Sequence, residues 1–277
     1  MHPIERLRYV ARASGADQEL LVRETAHALS AFHDDPAGLV AAARRIVDRH
    51  PTSGPLWWLC ARVLTAPDAN REAWEAVDEI TADPTPTELA YALETDTTAC
   101  LIGWPELVGE ALPRRGDVEV LAVDSLGEGS GLVRRLMQAG IDAVDVPTSG
   151  LGAAVAASNV LLLEAVAAGP EGFLAVSGSL AAATVARHSG VPVWVTVGVG
   201  RWLPPRMWSA LTDRRDTRPE DPWDLDEELV PFDLVDLVCG PGGLEPVADA
   251  MRRTDCPVAP ELFDRGNAPG TYTGGDH

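Results

Sequence analysis

The chain has 277 residues, enough for one large domain or two smaller ones, and its 46% hydrophobic and 23% charged residues exclude wholesale disorder. Lys+Arg 22 against Asp+Glu 42 leave a net charge of −20, which repels polyanions, so no nucleic-acid partner is expected. Every basic residue is arginine, spread through the chain and partly in short pairs, and the lack of lysine excludes Schiff-base and P-loop chemistry.

Residues 1 to about 95 read as helical. Leu20, Leu21, Ala28, Leu29 and Phe32 fall at helical spacing, and Pro36 starts a second segment over Ala37 to Val47. After a break at His50 to Pro55, the apolar run Leu56 to Leu64 reads as a buried helix whose Trp57-Trp58 pair is packing. Asp68 to Ile80 supplies an amphipathic helix, and Thr87 to Leu93 leads into the second half. There the rhythm becomes strand and helix in alternation. Strands are predicted at Thr98 to Ile102, Val118 to Val123, Asp142 to Val146, Asn159 to Ala165 and Val191 to Val197. Helices are predicted at Pro105 to Leu112, Gly129 to Ala139, Gly150 to Ala157 and Ser179 to His188. Short crossovers of this kind imply a parallel sheet covered on both faces. The fold class is therefore α/β: a helical N-terminal domain over residues 1–94, then a Rossmann-like parallel-sheet domain over 95–263. Residues 200 to 228 read as a long ordered loop, and 264–277 as a disordered tail.

The cysteines at 60, 100, 239 and 256 form no Cys-x-x-Cys pair and have no histidine at ligand spacing, so neither a metal nor a cofactor is expected. Polar residues interrupt the most apolar stretch, Leu151 to Val176, which reads as a short helix and a buried strand rather than a membrane span. Met1-His2-Pro3 opens no signal-peptide pattern, and a cytoplasmic location is expected.

Ligands of such a sheet bind beyond the carboxyl ends of its strands. Two loops there open helices with small residues, Thr148-Ser149-Gly150 and Ser177-Gly178-Ser179. Their hydroxyls and free N–H groups fit an anion, or serve simply as helix caps. Asp124 either orients a ligand hydroxyl or caps the helix beginning near Gly129. Cys100, at the first strand end, reads on its own as a buried, inert thiol.

Several segments, in order, carry a resemblance. They are His50 to Leu59; Val118 to Ser125 with Gly127-Glu128-Gly129; Ile141 to Gly152; Asn159 to Val166; Gly178-Ser179; Gly190 to Val193; and Pro231 to Pro246. Over roughly residues 35 to 260 the chain resembles the family of the alpha, beta and delta subunits of translation initiation factor 2B. That family includes methylthioribose-1-phosphate and ribose-1,5-bisphosphate isomerases, and the resemblance implies the isomerase, CoA-transferase and translation-factor type of fold. It also implies a phosphorylated small molecule as ligand, and a homo-oligomer, dimer or larger, paired through the Rossmann-like domain.

The resemblance puts Cys100 at the isomerases' catalytic cysteine. It also exposes departures. Val166 stands where the isomerases have a proton-shuttling Asp, Leu126 where a phosphate-binding Arg is expected, and Thr148 replaces an Asp. The Asn-Lys pair has no equivalent near Val176-Ser177, and His50 replaces an Arg. Isomerisation needs a group that takes and returns protons, which valine does not provide. The sequence thus favours a non-catalytic binding or regulatory protein with a degraded sugar-phosphate site. The alternative is an aldose–ketose isomerase with rearranged residues, using Cys100 with Asp124, Glu164 or Glu171 and drawing a phosphate cation from Arg201 or Arg206.

Overall fold

The computed structural model describes residues 18–32, 34–217 and 220–263. The tail expected over 264–277 lies outside them. Among the described residues, five helices come first: α1 (Gln18–Ser30), α2 (Pro36–Arg49), α3 (Gly54–Thr65), α4 (Ala69–Thr81) and α5 (Thr85–Ala92). Their starts are set locally. Asp35 and Asp68 each accept a backbone N–H three residues on, at 2.9 and 3.0 Å, and Pro36 occupies the first turn, where its missing N–H costs nothing. Helix α3 is the hub of this layer. Residues 54–61 are all buried, and α1, α2 and α4 pack around it.

Strands β1 (Thr97–Ile102), β2 (Val118–Val123), β3 (Asp142–Val146), β4 (Val160–Glu164), β7 (Val193–Thr196) and β9 (Leu237–Gly240) form a parallel sheet. An antiparallel edge strand, β10 (Gly243–Glu245), completes seven. Helices α6 (Glu106–Arg115), α7 (Gly129–Gln138), α8 (Leu151–Ala157) and α9 (Ser179–Ser189) connect the strands. The order across the sheet is β10-β9-β7-β4-β1-β2-β3. Counting only the parallel strands, this is the Rossmann order 3-2-1-4-5-6, with its reversal between β1 and β4. The predicted α/β class and all five predicted strands are present, with ends shifted by no more than two residues.

Two segments differ from the sequence reading. The stretch 200 to 228 is not a loop throughout, because α10 (Pro205–Asp216) occupies its centre. Met207, Trp208, Leu211 and Arg214 make its buried face, a helical spacing obscured by the surrounding Pro, Arg and Asp. The region after β4 is not only a connection either. It folds into β5 (Ala167–Gly169) and β6 (Gly172–Val176), which with β8 (Glu227–Pro231) form an antiparallel three-stranded sheet. Small residues are needed there because a Cβ on Gly169 would stand 2.2 Å from the Trp208 ring, and one on Gly172 would stand 2.5 Å from the Val230 carbonyl oxygen. That demand is tertiary, so strand propensity did not reveal it.

The core of the helical layer draws on the later chain. Ala167, Leu174, Leu203, Met207, Trp208, Leu211, Cys256, Ala259 and Leu262 pack into the same cluster as α1 to α4. Among the described residues, no helix is long and apolar enough to cross a membrane.

Candidate functional site: a cleft at the sheet reversal

A cleft of about 640 Å³ opens at the carboxyl ends of β1 and β4, where the strand order reverses and Rossmann-type sheets take their ligands. Ile102 ends β1, Leu163 and Glu164 end β4, the loops after β1, β2 and β7 contribute Trp104, Leu126 to Glu128, and Arg201, and Glu106 comes from the start of α6. Val176, Ser179, Asp226 and Glu227 close the far side, and Gln18 enters from α1. Five carboxylates therefore face one guanidinium.

That guanidinium is not free. Arg201 is 4% exposed and donates to Glu164 Oε1 at 2.8 Å and to the Ala165 carbonyl at 2.6 Å, with Glu106 at 3.9 Å. Burial works against its charge, but Glu164 and Glu106 outweigh that cost and hold its pKa above the ordinary arginine value. Arg206 lies elsewhere, 5.0 Å over the Phe263 ring.

The helix starts along this edge hold carboxylates of the chain itself. Glu164 Oε2 accepts from the N–H groups of Leu107 and Val108, at 2.8 and 3.1 Å, in the first turn of α6. Asp124 Oδ1 accepts from Gly129 N at the start of α7, at 2.8 Å. Glu228 Oε1, reaching over from β8, accepts from Gly178 N and Leu180 N at 2.7 and 2.9 Å, at the start of α9. Unpaired N–H groups and the positive end of the helix dipole attract anions at such positions. Here an internal carboxylate answers each of these three, whereas the start of α8 after β3 receives no side-chain cap.

The sequence-predicted residues fall accordingly. Of Asp124, Thr148, Ser149, Ser177, Gly178 and Ser179, only Ser179 lines the cleft. Of the two roles open to Asp124, the structure displays the cap. Thr148 Oγ1 donates to the Asp124 carbonyl at 2.8 Å, Ser177 Oγ to the Leu225 carbonyl, and Ser179 Oγ to the Val176 carbonyl at 2.6 Å, while Ser149 is exposed. Cys100 lies inside β1, fully buried and outside the lining, and burial pushes its thiol up to about 12, so it is a thiol rather than a thiolate at neutral pH. Trp104, Glu106, Asp226 and Glu227 escaped the sequence reading. Asp226 and Glu227 sat in a stretch taken as loop, and Trp104 with Glu106 could have been found from their place just after a strand end. Among the described residues, no group of three or more His, Cys, Asp or Glu could hold a metal ion.

At the β2 end, burial and the neighbouring Asp226 and Asp124 carboxylates raise the Glu128 pKa. A carboxyl raised in the folded state costs stability wherever it is ionised. Between the unfolded value and the folded one, the folded chain binds the extra proton, so stability falls as pH rises through that window. Glu128→Gln is expected to raise the Tm at neutral pH and to change nothing near about pH 2.5, below the ordinary glutamate range. Thermal denaturation at the two pH values checks this, and a Tm gain independent of pH would contradict it. Glu228→Ala is expected to destabilise the fold by about 1 kcal/mol, as loss of a helix cap does. By vacating the start of α9 it should also introduce a measurable thermal shift with inorganic sulfate that the parent protein lacks.

The sheet order, the helical layer and the cleft at the reversal define an α/β protein of Rossmann-like type. The fold is that of the translation initiation factor 2B subunits, as the resemblance implied. It is similar to translation initiation factor 2B of Pyrococcus horikoshii OT3, with a TM-score of 0.75 over 90% of this chain and 98% of that one, at 12% identity. It is also similar to the beta subunit from Chaetomium thermophilum, with a TM-score of 0.65 over 88% and 86% of the two chains at 19% identity. A third likeness is to the tetrameric beta2–delta2 complex of C. thermophilum, with a TM-score of 0.72 over 90% and 92% at 18% identity. At these identities the likeness is one of fold. No protein-family model matches the sequence, and no curated protein matches it.

Proposed function

We propose that the chain is an initiation factor 2B-like protein that binds or regulates and does not isomerise a sugar phosphate. The observation that carries this reading is the occupation of the helix starts at the sheet edge by Glu164, Asp124 and Glu228. A phosphate arriving there would meet carboxylates in place of N–H donors, and Arg201, the one arginine lining the cleft among the described residues, is committed to Glu164. The Cys100 thiol, buried and raised to about 12, is poorly suited to shuttling protons at neutral pH. The organisation proposed with this reading is a helical domain over 1–94 and a Rossmann-like domain over 95–263, in a cytoplasmic protein. Because one neighbour of the same fold is a tetrameric complex, self-association as a homo-oligomer belongs to the reading as well. Light scattering that returned a strict monomer would remove that part.

Incubation of the purified protein with ribose-1,5-bisphosphate and with methylthioribose-1-phosphate tests the core of the reading. No ketose product is expected from either. Turnover that Cys100→Ser abolishes would overturn the reading in favour of an isomerase with rearranged residues.

A further inference from the structure

Far from the cleft, the outer edge of the main sheet is a surface that the reading above leaves unassigned. Among the described residues β3 pairs only with β2, and it stands last in the strand order, so its other side is a free edge. On the β2 side, the Val146 carbonyl accepts from Asp124 N at 2.8 Å. Strand alternation therefore turns the N–H and C=O groups of Ala143 and Asp145 outward. Free edges in natural sheets are blunted by proline, lysine, a bulge or a covering segment. β3 contains neither proline nor lysine, its register with β2 is unbroken, and Val144 at its centre is 45% exposed. Its charged residues are Asp142 and Asp145.

Beside this edge a shallow groove of about 390 Å³ runs between β3 and α7, lined by Ser130, Val133, Arg134, Met137, Gln138 and Asp145. Ala143 packs under α7, so Asp145, two residues on, shares that face and Val144 lies on the opposite one. Arg134 and Asp145 are both exposed, and neither has a hydrogen-bond or ion-pair partner among the described residues, the other included. A two-fold copy of the same edge complements such a groove, because an isologous contact sets each unpaired charge against its opposite on the other copy. An antiparallel pairing centred on Val144 engages the whole strand. It sets Ala143 opposite the partner's Asp145, where both turn their backbone groups outward, and Val144 opposite the partner's Val144 in the closer, non-hydrogen-bonded position. Asp142 then faces the partner's Val146, so no aspartate stands directly opposite another, whereas centring on Asp142 or on Asp145 would oppose like charges. Resting on the self-association included in the reading above, we propose that two copies of this chain join through β3, antiparallel about Val144, into one continuous sheet in which each Arg134 pairs with the partner's Asp145. The net charge of −20 opposes association at long range. Physiological salt screens it beyond about 8 Å, so the contact is decided locally.

Sedimentation equilibrium of the whole chain at physiological salt tests this. The parent protein is expected to form a dimer or a multiple of one. Val144→Lys, a change at an exposed position, is expected to keep the parent's circular dichroism and Tm and to halve the mass of the assembly. Arg134→Asp and Asp145→Arg are each expected to raise the dissociation constant about tenfold, because the contact occurs twice across the two-fold axis and turns repulsive. The double variant Arg134→Asp/Asp145→Arg restores the pair with its charges exchanged and should bring the constant back to within about threefold of the parent's. An assembly whose mass and affinity are unchanged in Val144→Lys and in both single reversals would overturn the β3 edge while leaving self-association standing. Additive weakening in the double variant would overturn the pairing of Arg134 with Asp145 and the register with it. A strict monomer would overturn the proposal and self-association together. None of these results touches the non-catalytic reading, which turnover of a sugar phosphate decides.

Discussion

Arg201→Ala is expected to lower the stability of the protein by about 3 to 5 kcal/mol, the usual cost of leaving one member of a buried ion pair behind. The Arg201 and Glu164 side chains are 4% and 8% exposed and meet at 2.8 Å. Removing the guanidinium would strand Glu164 with half of its compensation, since only the Leu107 and Val108 N–H groups would remain to it. It would also free the Ala165 carbonyl in the interior. For a chain of this size the loss corresponds to a Tm lower by about 10 °C. The exposed pair Arg71–Glu75, whose side chains are 67% and 51% exposed at 3.6 Å, supplies the contrast. Arg71→Ala should cost no more than about 0.5 kcal/mol, because solvent screens such a pair. Thermal or urea denaturation of the two variants side by side measures the difference, and equal losses would contradict the assignment of Arg201 as the buried anchor of the cleft.

Trp57→Ala should be at least as damaging to the helical layer. Trp57 is fully buried in α3, donates its indole N–H to the Pro51 carbonyl at 3.0 Å, and carries the Arg214 guanidinium 4.8 Å over its ring. Arg214 in turn donates to Asp48 at 2.8 Å and to the Leu262 carbonyl at 2.6 Å, so one side chain of α10 ties α2 to the C-terminal segment across the indole. Truncating a buried tryptophan costs about 3 to 5 kcal/mol through lost burial and the cavity left behind. Here the loss of the stacking surface under Arg214 adds to it. Trp57→Phe keeps most of the volume and the ring face while deleting only the hydrogen bond, so it should recover more than half of that loss. If Trp57→Phe were as unstable as Trp57→Ala, the indole–Pro51 hydrogen bond rather than packing would dominate.

These variants probe features that the sequence disclosed unequally. The run from Leu56 to Leu64 marked α3 as a buried helix, and its tryptophans as packing, because every position but Arg62 is apolar. That Arg214 lies over Trp57 was invisible, since the two are far apart in the chain and α10 was hidden among prolines and charges. The same division runs through the cleft. A strand end followed by Gly129 indicated a helix start, and Asp124 five residues earlier was open to a capping role or to a ligand hydroxyl; its Oδ1 accepts from Gly129 N, a partner close by in the chain. Glu164 and Glu228 reach N–H groups 57 and 50 residues away, and nothing in the local pattern pairs them. The loop Ser177-Gly178-Ser179 was open to an anion or to a helix cap on its local chemistry. It is filled because β8 lies beside β6 and delivers Glu228 to it.

By itself the sequence determined the alternation of strands and helices, the parallel sheet and the excess of acid. Each follows from the burial periodicity or hydrogen-bonding habits of residues close together in the chain. Only the tertiary structure decided that the reversal between β1 and β4 would collect carboxylates from β4, β8 and two loops around one engaged arginine. Strand order and long-range register bring those groups together, and they depend on how whole faces pack rather than on any local run of residues.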